Sequence, residues 1–442
     1  MKLKRVLATV LAAALVLPVL AACGGGGEKS EETSSQGGGG KTEVLDVKIW
    51  DATQQEGIQT ICDEWTETSG IEAKVEVVTW DDYWTLLEAG ASGGTMPDVF
   101  WMHSNNIQKY MDAGLLLDLN DYIDQDENID MANYYEDIVN LYTSEDGIHY
   151  AIPKDYDTVA LWYNKTIFDD AGMDYPTNDW TWEDMYDAAV KLTKEDGSQY
   201  GMAENTDRNQ EFFYNLIYGY GGYVINDDHT KSGMDDPKTI EAMEMVGKMV
   251  KDCMPTQSIM AESGETDLFT SGVCAMRLFG SWRVASFKEY DNASEWGVAE
   301  IPYHDANGNG QCDEGERVSI YNGLGWSASA DCSDPDAAYS LISYLGSEEG
   351  QKRQAELGVT MSAYKGTSDA WVSCTDLWDL SPYLNVANGD ATLVLMPYSR
   401  SAVWAENMKE ELVPAWNDPS TMADTCKAVA ESMNNALAQE QQ

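Results

Sequence analysis

The sequence is poor in basic residues and in histidine. It has 27 lysines and arginines against 76 aspartates and glutamates, which gives a formal net charge of −49. A surface this negative repels nucleic acid and disfavours anionic substrates, so we exclude nucleic-acid binding. We attribute the charge to a solvated surface that keeps the protein soluble, rather than to steering of a ligand. The four histidines form no HExxH motif, the usual zinc-protease pattern.

Paired cysteine motifs are also absent. Cysteines stand at positions 23, 62, 253, 274, 312, 332, 374 and 426, and no two of them form a CxxC pair. The sequence therefore has no zinc or thioredoxin motif. Seven cysteines remain besides Cys23, so at least one is unpaired, and the pairing of the others stays open.

Phenylalanine is rare among the aromatic residues. It occurs 7 times, whereas tryptophan occurs 15 times and tyrosine 24 times. Tryptophan and tyrosine combine a flat apolar face with a polar atom. This combination suits sugar rings, which stack through their C–H faces and need hydrogen bonds for their hydroxyls. Most of these aromatics must still serve the core and the surface.

The N-terminus has the pattern of a secretory leader. MKLKR carries three positive charges, and the apolar run from Val6 to Ala22 is too short for a stable membrane span. The run ends in LAACG, which matches the bacterial lipobox. We predict that residues 1–22 are a lipoprotein signal peptide and that Cys23 carries the lipid. The lipid would hold the protein at the cell surface, on the outer face of the cytoplasmic membrane. The alternative is an ordinary secretory signal with an incidental cysteine.

Strands and helices alternate after a linker over residues 23–44, which is rich in Gly, Ser and Glu. The patterns predict strands at 45–50, 71–78 and 99–102, with helices at 57–68 and 81–89 between them. This alternation favours parallel α/β lobes. The chain is also long enough to hold more than one core.

Two glycine-rich motifs imitate enzyme motifs. Residues 90–94 (GASGG) match the hydrolase elbow, but a helix precedes them and a strand follows, the reverse of the order that the elbow needs. Residues 323–328 (GLGWSA) imitate a dinucleotide fingerprint, but a strand and not a helix follows. We interpret the first as a helix break and the second as a turn.

The stretch from Tyr150 to Ala189 is the most informative. A short extended piece ends at Pro153, and the polar turn KDYD and the apolar run VALWY follow. Thr181 then begins a helix, with Asp184 as its capping-box partner. Two strands that meet at a turn rich in Asp and Tyr predict a crossing between lobes, where a ligand could lie.

The phrases YAIPKDYDT…LWYNK and YPTNDWTWEDM in this stretch closely resemble the extracellular solute-binding proteins of ABC sugar importers, the family of maltose-binding protein. The resemblance covers essentially the whole chain after the leader. It implies an α/β fold of the periplasmic-binding-protein type (type II), with two lobes and a ligand cleft between them. It also implies a monomeric, non-catalytic receptor without a required cofactor, which delivers a saccharide to the transmembrane subunits of an ABC permease.

The same resemblance divides the chain into discontinuous lobes. Lobe 1 is predicted at residues 45–153 and 321–367, and lobe 2 at residues 154–300 and 368–442. Residues 301–320 form a crossing segment between them.

Ligand-binding residues follow from phrases that match the family. One phrase surrounds the strand at 99–102, although amides here replace the family's charged pair after the histidine. Others are the turn after Pro153, the region 201–218, the phrase F-x-x-G-x-x-A-M…G-x-W, and a late segment that gives relatives an aromatic residue. The predicted set is Trp101, His103, Asn105, Asn106, Tyr156, Asp157, Arg208, Gly280, Trp282, Tyr398, Arg400 and Trp404.

These residues have different predicted roles. Stacking on the sugar is assigned to Trp282, Trp101 and Trp404. Hydroxyl recognition is assigned to four polar residues: Asp157, Asn105, Asn106 and Arg208. Gly280 would let the backbone approach the ligand closely.

Two other functions stay open. A secreted glycoside hydrolase also needs aromatics and two carboxylates, although no hydrolase motif occurs. A receptor of the same fold for polyamines, peptides or metal chelates would suit the acid-rich chain.

A calcium loop is predicted from local residues alone. Residues 305–316 (DANGNGQCDEGE) fit the pattern D-x-[DN]-x-[DN]-G-x5-E at every specified position. The ligands would be Asp305, Asn307, Asn309, Gln311 through its carbonyl, Asp313 and Glu316. The flanks are not helices, so the loop is not a true EF-hand. The alternative is a polar loop without metal.

Overall fold

The computed structural model describes residues 43–204, 206 and 209–440. The strands in this part of the chain are β1 (Val44–Ile49), β2 (Glu72–Val77), β3 (Val99–Met102), β4 (Ile152–Pro153), β5 (Val159–Asn164), β6 (Tyr200–Met202), β7 (Cys274–Gly280), β8 (Trp296–Glu300), β9 (Val318–Tyr321), β10 (Gly325–Ala328) and β11 (Thr392–Leu395).

Helices connect and cover these strands. They are α1 (Gln55–Ser69), α2 (Trp80–Gly93), α3 (Ser104–Asp112), α4 (Asn120–Ile123), α5 (Glu136–Leu141), α6 (Lys165–Ala171), α7 (Trp182–Leu192), α8 (Phe213–Gly219), α9 (Pro237–Asp252), α10 (Gln257–Ser263), α11 (Glu265–Thr270), α12 (Val284–Phe287), α13 (Pro335–Gly346), α14 (Glu348–Glu356), α15 (Asp369–Val372), α16 (Ser381–Asn385), α17 (Val403–Asn417) and α18 (Met422–Glu440). Short 3-10 turns lie at Ala52–Gln54 and Ser281–Arg283.

The first lobe is built on a five-stranded sheet of order β2-β1-β3-β10-β4. β1 pairs in parallel with β2 and β3, and β10 runs antiparallel to β3 and β4. Its core includes Leu45, Val47 and Ile49 of β1, all with no exposed surface. Their alternation along the strand is that of a sheet covered by helices.

The second lobe has a four-stranded sheet of order β6-β7-β5-β8. Only β6 and β7 pair in parallel, while β5 runs antiparallel to β7 and β8. The sequence-based expectation of parallel lobes is therefore correct for β1, β2 and β3 and wrong for most of the second sheet. Many residues separate a strand such as β7 from the preceding strand of this sheet. The direction of the strand therefore depends on the path of this connection and not on the residues of the strand itself.

A third, two-stranded sheet lies where the chain crosses between the lobes. β9 and β11 pair in parallel from Val318↔Thr392 to Tyr321↔Leu395. Beside them runs the crossing from β4 to β5, where Asp157 bridges to Asn322. We call β9, β11 and residues 154–158 the hinge.

The predicted start of α7 is confirmed, and two other helices begin in a similar way. Thr181 and Asp184 form the complete capping box at α7. Asp236 caps α9 and Asp334 caps α13, each followed by proline at the first helical position. Short polar side chains satisfy the free N–H groups at these ends, so the signal is local and readable.

Other boundaries differ from the prediction. α2 continues through Gly90 and ends at Gly93, and the following Gly94, with a φ of 66°, supplies the left-handed cap. β9 ends at Tyr321, and β10 begins at Gly325, within the glycine-rich motif at 323–328. Pro414 lies inside α17 and does not end it. The strand β11 was not predicted at all.

All seven cysteines in the described part of the chain are free thiols. Cys62, Cys253, Cys274 and Cys426 are buried, and burial raises the pKa of the Cys426 thiol to about 12. Over the same residues, no helix is long and apolar enough to cross a membrane.

Candidate ligand-binding site

A cleft of about 740 Å³ lies between the two lobes. Lobe 1 lines it with the segment that follows β1, the start of α2, the segment that follows β3, and the hinge. Lobe 2 lines it with the segment before α8, the turn after β7, and the chain from Met396 to Leu412. The two walls therefore come from different lobes, so closure of the lobes would enclose a ligand.

The lobe 1 wall is aromatic. Trp50 directly follows β1, and Trp80 begins α2 after β2. Their ring centroids are 5.1 Å apart, and the ring of His103 lies 5.3 Å from that of Trp80. Trp80 is 41% exposed, unusual for tryptophan, so one face is free to contact a ligand.

His103 is a neutral group in this wall. Its Nδ1 accepts a hydrogen bond from the Asn105 N–H at 3.1 Å, which caps α3. Its Nε2 lies 3.1 Å from the side-chain amide of Asn322. Burial lowers the pKa of His103 to about 4, so the ring carries no charge at neutral pH.

The floor of the cleft is formed by the hinge. The Nζ of Lys154, fully buried, donates to Gln54 Oε1 at 3.0 Å and to Asp155 Oδ2 at 2.6 Å. Asp155 Oδ1 accepts from the Leu324 N–H at 2.7 Å. The charge of Asp155 is thus neutralised by Lys154, and its carboxylate is held in a fixed orientation.

Asp157 joins the hinge to lobe 2. Its Oδ1 accepts from Gln210 Nε2 at 2.7 Å and from the Asn322 N–H at 3.0 Å. Burial, with the nearby charge of Asp155, raises the pKa of Asp157 well above its usual range. This carboxyl can therefore carry a proton where a surface aspartate would be ionised.

The lobe 2 wall centres on Trp282, in the turn after β7. Its ring lies against Gly280: a Cβ added at Gly280 would stand 2.0 Å from Trp282 Cζ3. Glu211 brackets this turn, because its Oε1 accepts from the Gly280 N–H at 3.2 Å and from Arg283 Nε at 3.4 Å. Trp282 is therefore seated by Gly280 and Glu211.

The chain after β11 completes the same wall. The carbonyl of Tyr398 accepts from His229 Nδ1 at 2.8 Å, and its ring packs against the lobe 1 core. Trp404 is 3% exposed, and among the described residues its indole N–H has no acceptor. This unpaired donor at the cleft can serve a ligand hydroxyl.

The structure brings about half of the predicted site residues to the cleft. His103, Asn105, Asp157, Trp282, Tyr398 and Trp404 line it. Trp101 is fully buried, with the Lys154 Nζ 4.3 Å from its ring centroid, so it supports the floor without facing the cleft. Arg208 lies outside the described residues.

The other predicted residues lie elsewhere. Asn106 is on α3 outside the cleft lining, and Tyr156 points to the opposite side of the hinge. Gly280 makes room for Trp282 and not for a ligand. Arg400 is 58% exposed in its side chain and pairs with Glu145 at 3.2 Å. Sequence reasoning missed Trp50 and Trp80, which the rule that ligands meet the carboxyl ends of strands could have found.

The predicted calcium loop is exposed from residue 306 to residue 315, and it folds around Asp305 and the buried Glu316. Asp305 accepts from the N–H groups of Gly308 and Gly310 at 2.8 Å each. Glu316 accepts from the Ala306 and Asp313 N–H groups at 3.0 and 2.9 Å. Among the residues described, no three His, Cys, Asp or Glu side chains are grouped so that they could hold a metal ion.

The model of the bacterial extracellular solute-binding protein family matches residues 51–352, more than half of the chain. The chain belongs to this family.

Relatives of this solute-binding protein include sugar-binding proteins. It is 24% identical to the galactooligosaccharide-binding protein of Bacillus subtilis over 338 aligned residues, and this alignment covers 73% of this chain and 74% of that protein. It is 26% identical to the maltotriose-binding protein of Pyrococcus abyssi over 260 aligned residues, and this alignment covers 58% of this chain and 53% of that protein. The chain spans only 57% of the length of a binding protein from Brucella abortus, at 25% identity over 240 residues.

Solved structures share the fold of this solute-binding protein. A substrate-binding protein from Listeria monocytogenes in complex with cycloalternan superposes with a TM-score of 0.79 at 23% identity, over 90% of this chain and 100% of that chain. A receptor from Streptomyces glaucescens, solved unliganded and with acarbose, gives 0.75 at 18%, over 90% and 98%. The predicted two-lobed fold is thus confirmed. These relatives are binding proteins and not enzymes, as predicted for this chain.

Proposed function

We propose that this protein is the saccharide receptor of an ABC importer, which captures a neutral sugar between its lobes without altering it. The observation that supports this proposal is the cleft, with exposed Trp80 on one wall and Trp282 on the other. Aromatic side chains on opposite walls of a cleft suit the two apolar faces of a sugar ring. The names of the relatives from Bacillus and Pyrococcus point to the same class of ligand.

The preference for an uncharged ligand follows from charge pairing in the cleft. Asp155 is neutralised by Lys154, and Glu211 lies 3.4 Å from Arg283 Nε. His103 is neutral at pH 7. Against these paired groups a charged ligand gains no counter-charge, whereas hydroxyls can use the neutral donors and acceptors. Asp51, Asp81 and Glu406 also line the cleft, so a cation is included in the test below.

Delivery rests on closure about the hinge. Asp157 of the hinge contacts Gln210 of lobe 2 and the backbone of Asn322, so the two lobes meet at this residue. A ligand that contacts both walls is bound best when the lobes are closed, and its binding therefore favours the closed arrangement. The closed receptor, a monomer, would then present both lobes to the transmembrane subunits of the permease.

The test is a binding screen without a permease. Thermal unfolding is followed with maltotriose, a galactooligosaccharide and spermidine, since a ligand of the folded state raises the melting temperature. We expect a neutral oligosaccharide to stabilise the protein and to be recovered intact. Turnover that releases new reducing ends at enzyme-like rates would replace this proposal with a hydrolase, and stabilisation by spermidine alone would replace it with a polyamine receptor.

The lipid anchor is proposed at Cys23, which lies outside the described residues. We expect the Cys23→Ser variant to leave the membrane fraction or to accumulate as an uncleaved precursor, because the thiol is needed for lipid attachment. Fractionation and immunoblotting of cells that express the full chain measure this. A matched Cys312→Ser variant, at an exposed thiol of the folded part, should stay with the membrane. Normal processing and membrane retention of Cys23→Ser would exclude the anchor.

A structural calcium ion is proposed for the loop at 305–316. The residue types fit it in part: Asp305, Asp313 and Glu316 would supply carboxylates, although the structure does not group these three around one point. The side-chain nitrogens of Asn307 and Asn309 now donate to Asp313 Oδ2 at 2.7 and 2.9 Å. Binding would therefore require these amides to reorient so that their oxygens face the ion.

Calorimetric titration of chelator-treated protein with calcium tests this site. We expect weak binding and a higher melting temperature at millimolar calcium, because two of the side-chain ligands are uncharged. Glu316→Gln should abolish both, whereas Glu314→Gln, an exposed residue of the same loop that is not a predicted ligand, should leave both unchanged. No heat and no stabilisation with the unmodified protein would exclude the site.

A further inference from the structure

A second cavity of about 260 Å³ lies at the hinge, apart from the cleft. It is lined by Tyr135, Glu136, Asp137, Tyr156, Tyr321 and Leu393, none of which lines the cleft. Asp155 and Asp157 line the cleft, and Tyr156 between them lines this hinge pocket. Neighbouring side chains of extended backbone point to opposite sides, so residues 154–158 of the hinge separate the two cavities.

Three tyrosines give the hinge pocket an aromatic lining. Tyr156 and Tyr321 are 2% and 5% exposed, and the ring of Tyr135 lies 4.7 Å from that of Tyr156. The faces of such rings carry partial negative charge and attract cations. Lys365, outside the lining, already places its Nζ 5.8 Å from the Tyr135 ring centroid.

Two carboxylates add formal negative charge. Tyr321 Oη donates to Asp137 Oδ2 at 2.5 Å, which fixes this carboxylate at the pocket, and Glu136 is its neighbour. None of the lining residues is Lys, Arg or His. Acidic residues in the first turn also stabilise α5, but that role does not require three tyrosines around a cavity.

We propose that the hinge pocket binds a small organic cation, an alkylammonium group, separately from the ligand of the cleft. The volume is below that of pockets for drug-sized ligands, which limits the occupant to a few heavy atoms. The lining joins α5 of lobe 1 to β9 and β11, so the cation contacts both the hinge and a lobe.

The test uses choline and its uncharged isostere, 3,3-dimethylbutan-1-ol, with the folded protein and no saccharide. Sodium chloride keeps the ionic strength constant, because so acidic a chain attracts any cation. We expect calorimetry to give a Kd for choline in the millimolar range and no binding of the alcohol at the same concentrations. Equal binding of the two compounds, or no binding of choline, would overturn the proposal.

Variants locate the cation. Asp137→Asn keeps an acceptor for Tyr321 but removes the charge, so choline affinity should fall about tenfold. Asp146→Asn, an exposed acid outside the pocket, should have no effect. Trp282→Ala should also leave choline binding unchanged. Loss of choline binding in Trp282→Ala would show that choline binds in the cleft and not in the hinge pocket. An equal loss in Asp137→Asn and Asp146→Asn would show that choline is attracted only by the overall negative charge of the protein.

Discussion

Replacing Trp282 with alanine is expected to lower the affinity for the best oligosaccharide of the screen about tenfold to a hundredfold. The ring is only partly buried and lines the cleft, so its removal takes away a stacking surface and its buried area. The loss corresponds to about 1–3 kcal/mol of binding free energy. Calorimetric titration measures the affinity, and thermal unfolding shows whether the fold persists.

Gly280→Ala is a companion variant that keeps the tryptophan. The Cβ of the alanine would stand 2.0 Å from Trp282 Cζ3, so the indole ring must move away from its present position. The φ of −73° at Gly280 is accessible to alanine, so the backbone itself is not strained. We expect weaker binding in a protein that still folds.

An exposed ring elsewhere serves as the control. Tyr290 is 38% exposed and does not line the cleft, so Tyr290→Ala should change neither affinity nor cooperativity. A Trp282→Ala protein that binds normally but unfolds without cooperativity would contradict the expectation. Trp282 would then be a core residue, and the sugar would bind elsewhere.

The parts of the fold that the sequence predicts are those with local causes. Thr181 with Asp184 caps α7 through contacts within one turn, and such contacts are visible in the residue order. β11 has no such signal: its four residues pair with β9, far earlier in the chain. Pro414 is a similar case: proline within a helix costs stability, and the tertiary packing of α17 on α18 that offsets this cost has no local signal.

The site shows the same division. Trp282 was found because its phrase is distinctive. Trp101 was wrongly predicted to contact the ligand, because the family motif identifies the segment that lies near the ligand but not the face of the strand on which each side chain lies. In the structure Trp101 is buried over Lys154, whereas Trp50, one strand away, reaches the cleft. Which of two tryptophans faces a ligand depends on the sheet, and no local pattern states it.

The largest loss of stability is expected from Arg277→Met. Arg277 on β7 is fully buried, and its guanidinium lies 3.8 Å from Glu204, 3.6 Å from Glu211 and 3.3 Å from Glu265. Its Nη1 also donates to Thr266 at 2.8 Å. Without the guanidinium, buried carboxylates lose their counter-charge, and we expect the free energy of unfolding to fall by about 3–5 kcal/mol.

The loss should depend on pH in a defined direction. Burial raises the pKa of Glu204 well above its usual range, and Arg277 opposes that rise. A carboxyl with a raised pKa in the folded state contributes stability below its unfolded pKa, and this stability is lost as the pH rises towards the folded pKa. Removing Arg277 enlarges this effect, so the deficit of Arg277→Met should be largest at neutral pH and smaller on acidification.

Chemical denaturation at several pH values, with matched variants, measures this. Arg353→Met removes a partly exposed arginine that pairs with Glu64 at 2.9 Å near the surface, and such a pair contributes only about 0–1 kcal/mol. Adding Glu204→Gln to Arg277→Met should restore part of the stability, because the amide occupies the same place without a charge. A deficit that is independent of pH and unaffected by Glu204→Gln would mean that Arg277 acts by packing over Phe279, where its Cζ lies 4.5 Å from the ring centroid, and not by its charge.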